Sequence, residues 1–270
     1  NNKKKLKSIF NKHQCFAVIH CAGFKAVGES VKNPIAYYNN NIGSTLSLLD
    51  CMQQNNVFKL IFSSSATVYN DMQSLPLKET SEAGNTKNPY GTTKYLIEKI
   101  LEDLVKYDNR WSVRIARYFN PISNHLSGLV KENPKNTPNN LIPYIVKVIK
   151  KKFPSLKVFG KNYKTKDGTG VRDYIHVVDL AEGHVAMIKN NRLQRGLKVY
   201  NFGTGQGKSV LDVLKAFEKH IAKPIPYKFA KRRKGDVATC YCDPRKALRE
   251  LNWKTKNDFD QAILDIKKIL

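Results

Sequence analysis

The sequence is organised around residues 88–94, which read Asn88-Pro-Tyr-Gly-Thr-Thr-Lys94 and lead into an amphipathic segment that ends near Tyr107. The apolar residues of that segment recur at the spacing of one helical face: Leu96, Ile97, Ile100, Leu101, Leu104 and Val105. This spacing predicts a helix that has Tyr90 and Lys94 at or near its first turn. Because residues four apart share a helix face, the tyrosine hydroxyl and the lysine ammonium are expected to be neighbours.

A tyrosine beside a lysine suits proton transfer near neutral pH. A free tyrosine ionises near pH ~10, so making it a base near neutrality requires roughly 4 kcal/mol. A lysine ammonium at about 5 Å supplies roughly 3 kcal/mol when the effective dielectric constant is near 20. The same spacing also occurs in solvated surface pairs, so the remainder of the chain decides between the two interpretations.

Length and composition indicate a globular protein. The chain has 270 residues, 41% of them apolar, which is enough for one large domain or two unequal ones. It has no apolar run of the ~20 residues that a membrane span needs. The five cysteines are scattered, without the paired spacing of a zinc site, and the histidines show no metal-ligand pattern. We therefore expect no metal, and free thiols in a reducing cytoplasm.

The formal charge of +25 raises the possibility of nucleic-acid binding. The excess is mostly lysine spread along the chain, whereas specific base readers are usually arginines in a patch. The densest basic cluster, residues 231–234, lies in a context that indicates a smaller anion. A basic nucleic-acid-binding protein therefore stays an alternative, without a specific patch to support it.

Apolar strands alternate with helices along the first half of the chain. Strands are predicted within 16–20, 59–67 and 111–121, each ending in or followed by small or polar residues, with helices at 34–55 and from Tyr90 onward. This alternation predicts an α/β fold with a mainly parallel sheet. Residues 122–140 form a long polar loop, and shorter helices and strands follow it, including a helix capped by Ser209.

Seven stretches carry a resemblance to a known family. They are residues 21–30, 63–69, 88–94, 117–121, 138–141, 167–177 and 232–236. In this order they resemble the extended short-chain dehydrogenase/reductases, and among them the UDP-sugar 4-epimerase branch. The most specific are Lys25-Ala-Val-Gly-Glu-Ser30 and Gly168-Thr-Gly-Val-Arg-Asp-Tyr-Ile-His-Val177, because a Tyr-x-x-x-Lys motif alone indicates only the superfamily.

The resemblance implies an isomerase of galactose metabolism that inverts carbon C4 of UDP-glucose and UDP-galactose. Bound NAD removes a hydride from C4 and returns it to the other face of a 4-keto intermediate. By resemblance, Tyr90 takes and returns the proton of the C4 hydroxyl, and Ser65 hydrogen-bonds that hydroxyl. Lys94 is expected to lower the tyrosine pKa and to bind the nicotinamide ribose.

The same resemblance assigns the binding residues. Those expected at NAD are Cys21, Ala22, Gly23, Phe24, Lys25, Asn40, Ser65, Tyr90, Lys94 and Phe119. Those expected at the UDP-sugar are Lys25, Ser65, Tyr90, Asn120, Asn139, Asn140, Leu141, Lys157, Val158, Phe159, Arg172, Arg233, Asp236 and Cys240. Arginines suit phosphate oxygens and an aspartate suits a ribose hydroxyl, although packing or capping roles also fit several of these residues.

The resemblance also implies a domain organisation. Residues 1–121, with 172–203 packing back on them, are expected to form a partial NAD-binding Rossmann domain, and residues 122–171 and 204–270 a UDP-sugar-binding domain. Family members open with a strand, a Gly-x-x-Gly-x-x-Gly turn and a helix, which this sequence lacks. We expect an N-terminally truncated Rossmann-like sheet without roughly its first sixty residues, and a chain that by itself binds NAD poorly and is inactive alone.

Several further expectations follow. Cys240 stands where some members have Tyr, so N-acetylated UDP-sugars are expected to fit. Two amphipathic helices, 34–55 and 90–107, predict a homodimer built on a four-helix bundle.

A nucleotide-sugar dehydratase is disfavoured, because residues 65–67 lack the Asp-Glu pair that it needs. The alternative from another class is a noncatalytic remnant of the epimerase fold.

Overall fold

The computed structural model describes residues 2–70, 74–130, 138–189, 194–233, 235–268 and 270. Its helices are α1 (Lys3–Lys12), α2 (Val27–Lys32), α3 (Pro34–Gln54), α4 (Pro89–Tyr107), α5 (Leu141–Ile149), α6 (Val177–Lys189), α7 (Val210–Ile221), α8 (Arg245–Leu251) and α9 (Phe259–Lys267). Its strands are β1 (Val18–His20), β2 (Lys59–Ser65), β3 (Ser112–Tyr118), β4 (Asn120–Ile122), β5 (Leu156–Phe159), β6 (Val171–His176), β7 (Gly196–Phe202), β8 (Gly207–Ser209), β9 (Tyr227–Ala230) and β10 (Thr239–Cys240). The α/β fold class predicted from the sequence is confirmed.

The chain divides into two compact units. The first unit contains residues 1–73, 79–118 and 184–201, and the second contains 74–78, 119–183 and 202–270. From the sequence, residues 1–121 and 172–203 are expected to belong to the first unit, whereas 119–121, 172–183 and 202–203 belong to the second. In the structure β6 pairs with β4, β8 and β10, so these hydrogen bonds hold residues 172–176 in the second unit, and the boundary at residue 183 falls within α6.

The first unit is built on a four-stranded sheet in the order β1-β2-β3-β7. Strands β1, β2 and β3 run parallel, with Val18 opposite Leu60 and Lys59 opposite Ser112. The middle of β2 and nearly all of β3 are buried, as expected of parallel strands covered on both faces. Helices α3 and α4 pack against each other, and Trp111 and Leu101 lie in the core of this unit.

Helix α4 begins where the sequence predicts. The Asn88 side chain accepts a hydrogen bond of 2.9 Å from the Gly91 backbone N–H, and Pro89 occupies the first turn. Gly91 is required there by close packing, because a Cβ atom at this position would lie 2.8 Å from the carbonyl oxygen of Thr67. This close approach brings the first turn of α4, with Tyr90 and Lys94, against the end of β2.

A buried ion pair joins α4 to β3. Arg117 Nη2 lies 2.6 Å from Glu98 Oε2, and both side chains are more than nine-tenths buried. The Ser64 hydroxyl donates a 2.5 Å hydrogen bond to Glu98 Oε1, and the Arg117 guanidinium stacks on the Tyr69 ring. Although burial opposes it, the hydrogen bonds and charge of Glu98 raise the pKa of Arg117 above its ordinary value.

The second unit has its own sheets and core. Strand β6 lies between β10 and β4, which both run parallel to it, and β5 pairs in parallel with β9. The Ser209 hydroxyl accepts from the Asp212 N–H while the Asp212 carboxylate accepts from the Ser209 N–H, so α7 has the predicted cap in the form of a capping box. Phe217 and Ile145 lie in the core of this unit.

Other sequence expectations compare as follows. Helix α2, which covers Val27–Lys32, was not predicted. The predicted loop 122–140 lies partly outside the described residues, which omit 131–137. Among the helices that the structure describes, none combines the length and apolar character needed to cross a membrane.

Replacing Arg117 by Met leaves the Glu98 carboxylate buried without its partner. We expect the free energy of unfolding, measured by urea denaturation, to fall by about 3–5 kcal/mol. The double variant Glu98→Gln/Arg117→Met is expected to recover at least half of that loss, because no buried charge remains. The exposed pair between Lys99 and Glu102 is the matched control, and Lys99→Met is expected to cost less than about 1 kcal/mol. A loss for Arg117→Met no greater than this control contradicts the interpretation.

Candidate active site

The predicted residues of the first unit meet at the carboxyl ends of β1 and β2, the edge where parallel sheets bind ligands. Residues 21–25 form an exposed turn after β1. Asn41 fixes this turn, because its Oδ1 accepts from the Phe24 N–H at 2.7 Å and its Nδ2 donates to the Phe24 carbonyl at 3.1 Å. The same Nδ2 lies 3.0 Å from the Thr93 hydroxyl, which ties the turn to α4.

Lys94 lies buried below this turn. Its ammonium donates a 2.7 Å hydrogen bond to the Ser63 carbonyl, and its side chain is buried. Burial lowers the pKa of Lys94 to about 8, although the charges of Cys21 and Glu98 oppose the shift. The ammonium form still predominates at pH 7, so α4 places a positive charge at the end of β2.

Tyr90 lies beside Lys94, with 6.0 Å between the Lys94 ammonium and the centre of the Tyr90 ring. Burial raises the pKa of Tyr90, and its interaction with the Ser65 hydroxyl opposes this rise. The resemblance predicts that the ammonium lowers this pKa. In the structure the pKa is raised overall, because desolvation of the phenolate outweighs the favourable contact with Ser65. Ser65, Tyr90 and Lys94 are nonetheless brought together as predicted.

His20, at the end of β1, also faces Lys94. Its Nε2 lies 2.9 Å from the Thr45 hydroxyl, and its side chain is buried. Burial, together with the charge of Lys94, lowers the pKa of His20 to about 4. The imidazole is therefore neutral near pH 7 and adds no second positive charge to the site.

A polar network around Ser63 is not predicted by the sequence motifs. The Ser63 hydroxyl contacts the Tyr118 hydroxyl and lies 3.2 Å from Cys21 Sγ, and Tyr118 in turn lies 2.5 Å from His184 Nε2. The network supports the Ser63 backbone that accepts from Lys94. Tyr118 lies within the motif at residues 117–121. His184 is 66 residues away along the chain, and no motif around it indicates this contact.

The other residues predicted to bind the cofactor differ in how deeply they are buried. Asn40 is half-buried and donates a 3.0 Å hydrogen bond to Asn41 Oδ1, beside the turn. Cys21, Ala22 and Lys25 are exposed. Phe119 is buried in the second unit, where its N–H donates to the Phe202 carbonyl at 3.1 Å.

A cationic cluster forms in the second unit. The Arg233 guanidinium lies 4.0 Å from the centre of the Phe159 ring and donates a 3.2 Å hydrogen bond to the Asn139 carbonyl. Strand pairing places Cys240 beside Arg172, and burial raises the pKa of the Cys240 thiol to about 11. Asp236 is exposed near these arginines. Stacked guanidinium groups with free N–H donors suit phosphate oxygens.

Of the other residues predicted to bind the UDP-sugar, some are exposed and others pack in or against the core. Asn120, Asn139, Asn140 and Lys157 are exposed. The Val158 side chain lies in the core of the second unit, so only its backbone can face a ligand, and Leu141 packs partly against that core. The described residues contain no group of three or more His, Cys, Asp or Glu side chains that could hold a metal ion.

Comparisons with known proteins agree on one family. The model of the NAD dependent epimerase/dehydratase family matches residues 1–203. The UDP-glucose 4-epimerase of Pasteurella multocida is 51% identical over 260 residues, which make up 96% of this chain and 77% of that protein.

Solved structures are similar over nearly the whole chain. UDP-glucose 4-epimerase from Bifidobacterium longum, in complex with NAD+ and UDP, gives a TM-score of 0.96 at 49% identity, over 99% of this chain and 80% of that one. The UDP-Glc/GlcNAc 4-epimerase of Campylobacter jejuni gives a TM-score of 0.81 at 33% identity, over 98% of this chain and 79% of that one.

The lowered pKa of Lys94 predicts an NMR signal that distinguishes it from ordinary lysines. In a pH titration of the ¹³C-labelled chain, we expect one lysine ε-carbon to titrate near pH 8, whereas exposed lysines titrate near pH ~10.4. The variant Lys94→Met is expected to lack this early transition and to keep the others. An early transition that persists in the variant, or its absence from both proteins, contradicts the assignment.

Proposed function

The chain belongs to the NAD dependent epimerase/dehydratase family, and we propose that it inverts carbon C4 of UDP-glucose and UDP-galactose with Ser65, Tyr90 and Lys94 as catalytic residues. Relatives at 51% and 49% identity are UDP-glucose 4-epimerases, so the chain is an epimerase of the NAD-dependent kind. The observation that carries the residue assignment is the convergence of Tyr90, Lys94 and Ser65 at the carboxyl end of β2.

The residues of the first unit fit the nicotinamide end of NAD. A Cβ atom on Gly23 would lie 3.2 Å from Asn41 Oδ1 and 3.8 Å from Lys94 Nζ, so the absent side chain leaves room above the ammonium. A lysine ammonium has three donors, and one of them binds the Ser63 carbonyl. Lys94 would hold the ribose hydroxyls, and residues 21–25 would line the ring. When bound, NAD supplies the reversible oxidation of sugar carbon C4.

Tyr90 would transfer the proton of the C4 hydroxyl. As a phenolate its oxygen accepts that proton, and as a phenol it returns the proton, while Ser65 hydrogen-bonds both the sugar hydroxyl and the tyrosine. Because burial opposes formation of the phenolate, the positive charge of Lys94 favours the step most while Lys94 remains protonated. Raising the pH through about 8 removes that charge in the free chain. Above this pH, Lys94 no longer favours proton transfer to Tyr90.

The cationic cluster of the second unit suits the UDP part of the substrate. Arg172 and Arg233 would bind phosphate oxygens, and the exposed carboxylate of Asp236 would accept from ribose hydroxyls. Arg233 stacks on the Phe159 ring, and this contact restricts the guanidinium group in the free chain. Asn120, Asn139, Asn140, Leu141, Lys157 and Val158 complete the proposed surroundings of the nucleotide.

We also propose a homodimer and a cytoplasmic location. Ile35 and Leu46 of α3 and Leu96 of α4 are exposed apolar residues on helices that pack side by side. A four-helix bundle with a second copy would cover them. All five cysteines are free, two of them buried, which is compatible with a reducing compartment.

The variant Tyr90→Phe tests the assigned activity. We expect kcat for the conversion of UDP-galactose to UDP-glucose, measured by coupled oxidation of the product, to fall roughly 10²- to 10⁴-fold, because the proton carrier is lost. KM is expected to stay nearly unchanged. Tyr107→Phe, an exposed tyrosine at the end of the same helix, is the matched control and is expected to keep full activity. Measurable turnover by the parent contradicts the expectation that the chain is inactive alone, and a Tyr90→Phe variant within tenfold of an active parent contradicts the role of Tyr90.

Cys240 offers a test of substrate range. The small side chain of Cys240 would leave room for an N-acetyl group at the proposed sugar pocket, and the chain is similar to a UDP-Glc/GlcNAc 4-epimerase. We expect Cys240→Tyr to lower kcat/KM for UDP-GlcNAc by at least roughly tenfold while changing that for UDP-galactose less than about threefold. Cys240→Ala keeps the space and is expected to keep both activities. Equal rates on the two sugars after the Tyr substitution argue against the role.

A further inference from the structure

Tyr163 carries a buried hydroxyl that the proposed function does not use. Its side chain is 7% exposed, and among the described residues the hydroxyl has no hydrogen-bond partner. A buried polar group without a partner is costly, because it has lost its water without replacement. The hydroxyl therefore indicates a partner that binds from outside the chain.

The ring of Tyr163 is held tightly on two sides. Gly160 adopts a φ of +86°, and a Cβ atom there would lie 2.5 Å from Tyr163 Cε2. On the other side, the Arg232 guanidinium lies 4.0 Å from the ring centre, and its Nε donates a 2.8 Å hydrogen bond to Asn162 Oδ1. The ring is therefore fixed between a glycine backbone and an arginine.

This arrangement continues into the residues proposed to bind phosphate. Arg233, the next residue, stacks on Phe159, which immediately precedes Gly160. Two consecutive arginines thus stack on two aromatic rings that flank one glycine. Fixing Arg232 on Tyr163 restricts the backbone that carries Arg233, so the two stacks support each other.

The electrostatic surroundings of the hydroxyl are positive. Arg172, Arg232 and Arg233 all act on Tyr163 with their charges, against a single carboxylate, that of Asp236. A phenol among three guanidinium groups is a donor placed where an anion is attracted. An anion gains more from this charge than a neutral donor or a water molecule does.

We propose that Tyr163 is a binding residue for the diphosphate of the nucleotide sugar, its ring fixing Arg232 and its hydroxyl donating to a phosphate oxygen. This inference rests on the proposed function and names a residue that the sequence resemblance does not assign. It predicts that the free chain tolerates loss of the hydroxyl, whereas the complex with a diphosphate does not.

Isothermal titration of the full chain with UDP and with uridine tests the proposal. For Tyr163→Phe we expect UDP affinity to fall about tenfold, as for loss of a hydrogen bond to a charged group, and uridine affinity to stay within about twofold. The melting temperature of the free variant is expected to equal or exceed that of the parent, which excludes misfolding as the cause. Tyr227→Phe, an exposed tyrosine of the same unit, is the control and is expected to change neither affinity.

The outcomes separate the two proposals. If the parent binds UDP and Tyr163→Phe binds it equally well, the role of Tyr163 is overturned while the epimerase assignment stands. Equal losses for UDP and uridine also overturn it, because the effect then does not depend on phosphate. Failure of the parent chain to bind UDP contradicts the proposed nucleotide site itself.

Discussion

The hydrogen bond between the Lys94 ammonium and the Ser63 carbonyl is the constraint on which the first unit depends. It places a charge inside the protein at the end of a parallel strand, and the lowered pKa of Lys94 measures the cost of that burial. The bond requires α4 to start close to β2, which only a residue without a side chain at position 91 allows. The arrangement of Tyr90 and Lys94 and the packing of α4 therefore depend on the same close approach.

In the second unit, positively charged side chains are held by a different kind of contact. There, Arg232 and Arg233 lie on aromatic rings rather than on carboxylates, so these two guanidinium groups are restrained without being neutralised. The formal charge of +25 carries little information by itself, because most of it is dispersed lysine. What distinguishes this site is the local arrangement, in which three arginines and one aspartate surround a single phenol.

Sequence periodicity predicts the regular elements well and the long-range pairings poorly. Helices α3 and α4 and strands β2 and β3 were predicted because their apolar patterns are long. Helix α2 is too short to show a period. The pairing of Glu98 with Arg117 and the contact of Tyr118 with His184 join distant segments, so no local pattern reveals them. Motifs located Ser65, Tyr90 and Lys94, but the direction of the Tyr90 pKa shift depends on desolvation, which only coordinates show.

The burial of Lys94 has a consequence for its covalent chemistry. With a pKa of about 8, roughly a tenth of its side chains are unprotonated amines at pH 7, a fraction some two hundred times that of an ordinary lysine. An unprotonated amine is a nucleophile toward carbonyl compounds. At pH 7 Lys94 thus has a larger reactive fraction toward small aldehydes than an ordinary exposed lysine, and its burial limits this reactivity to reagents that can enter the site.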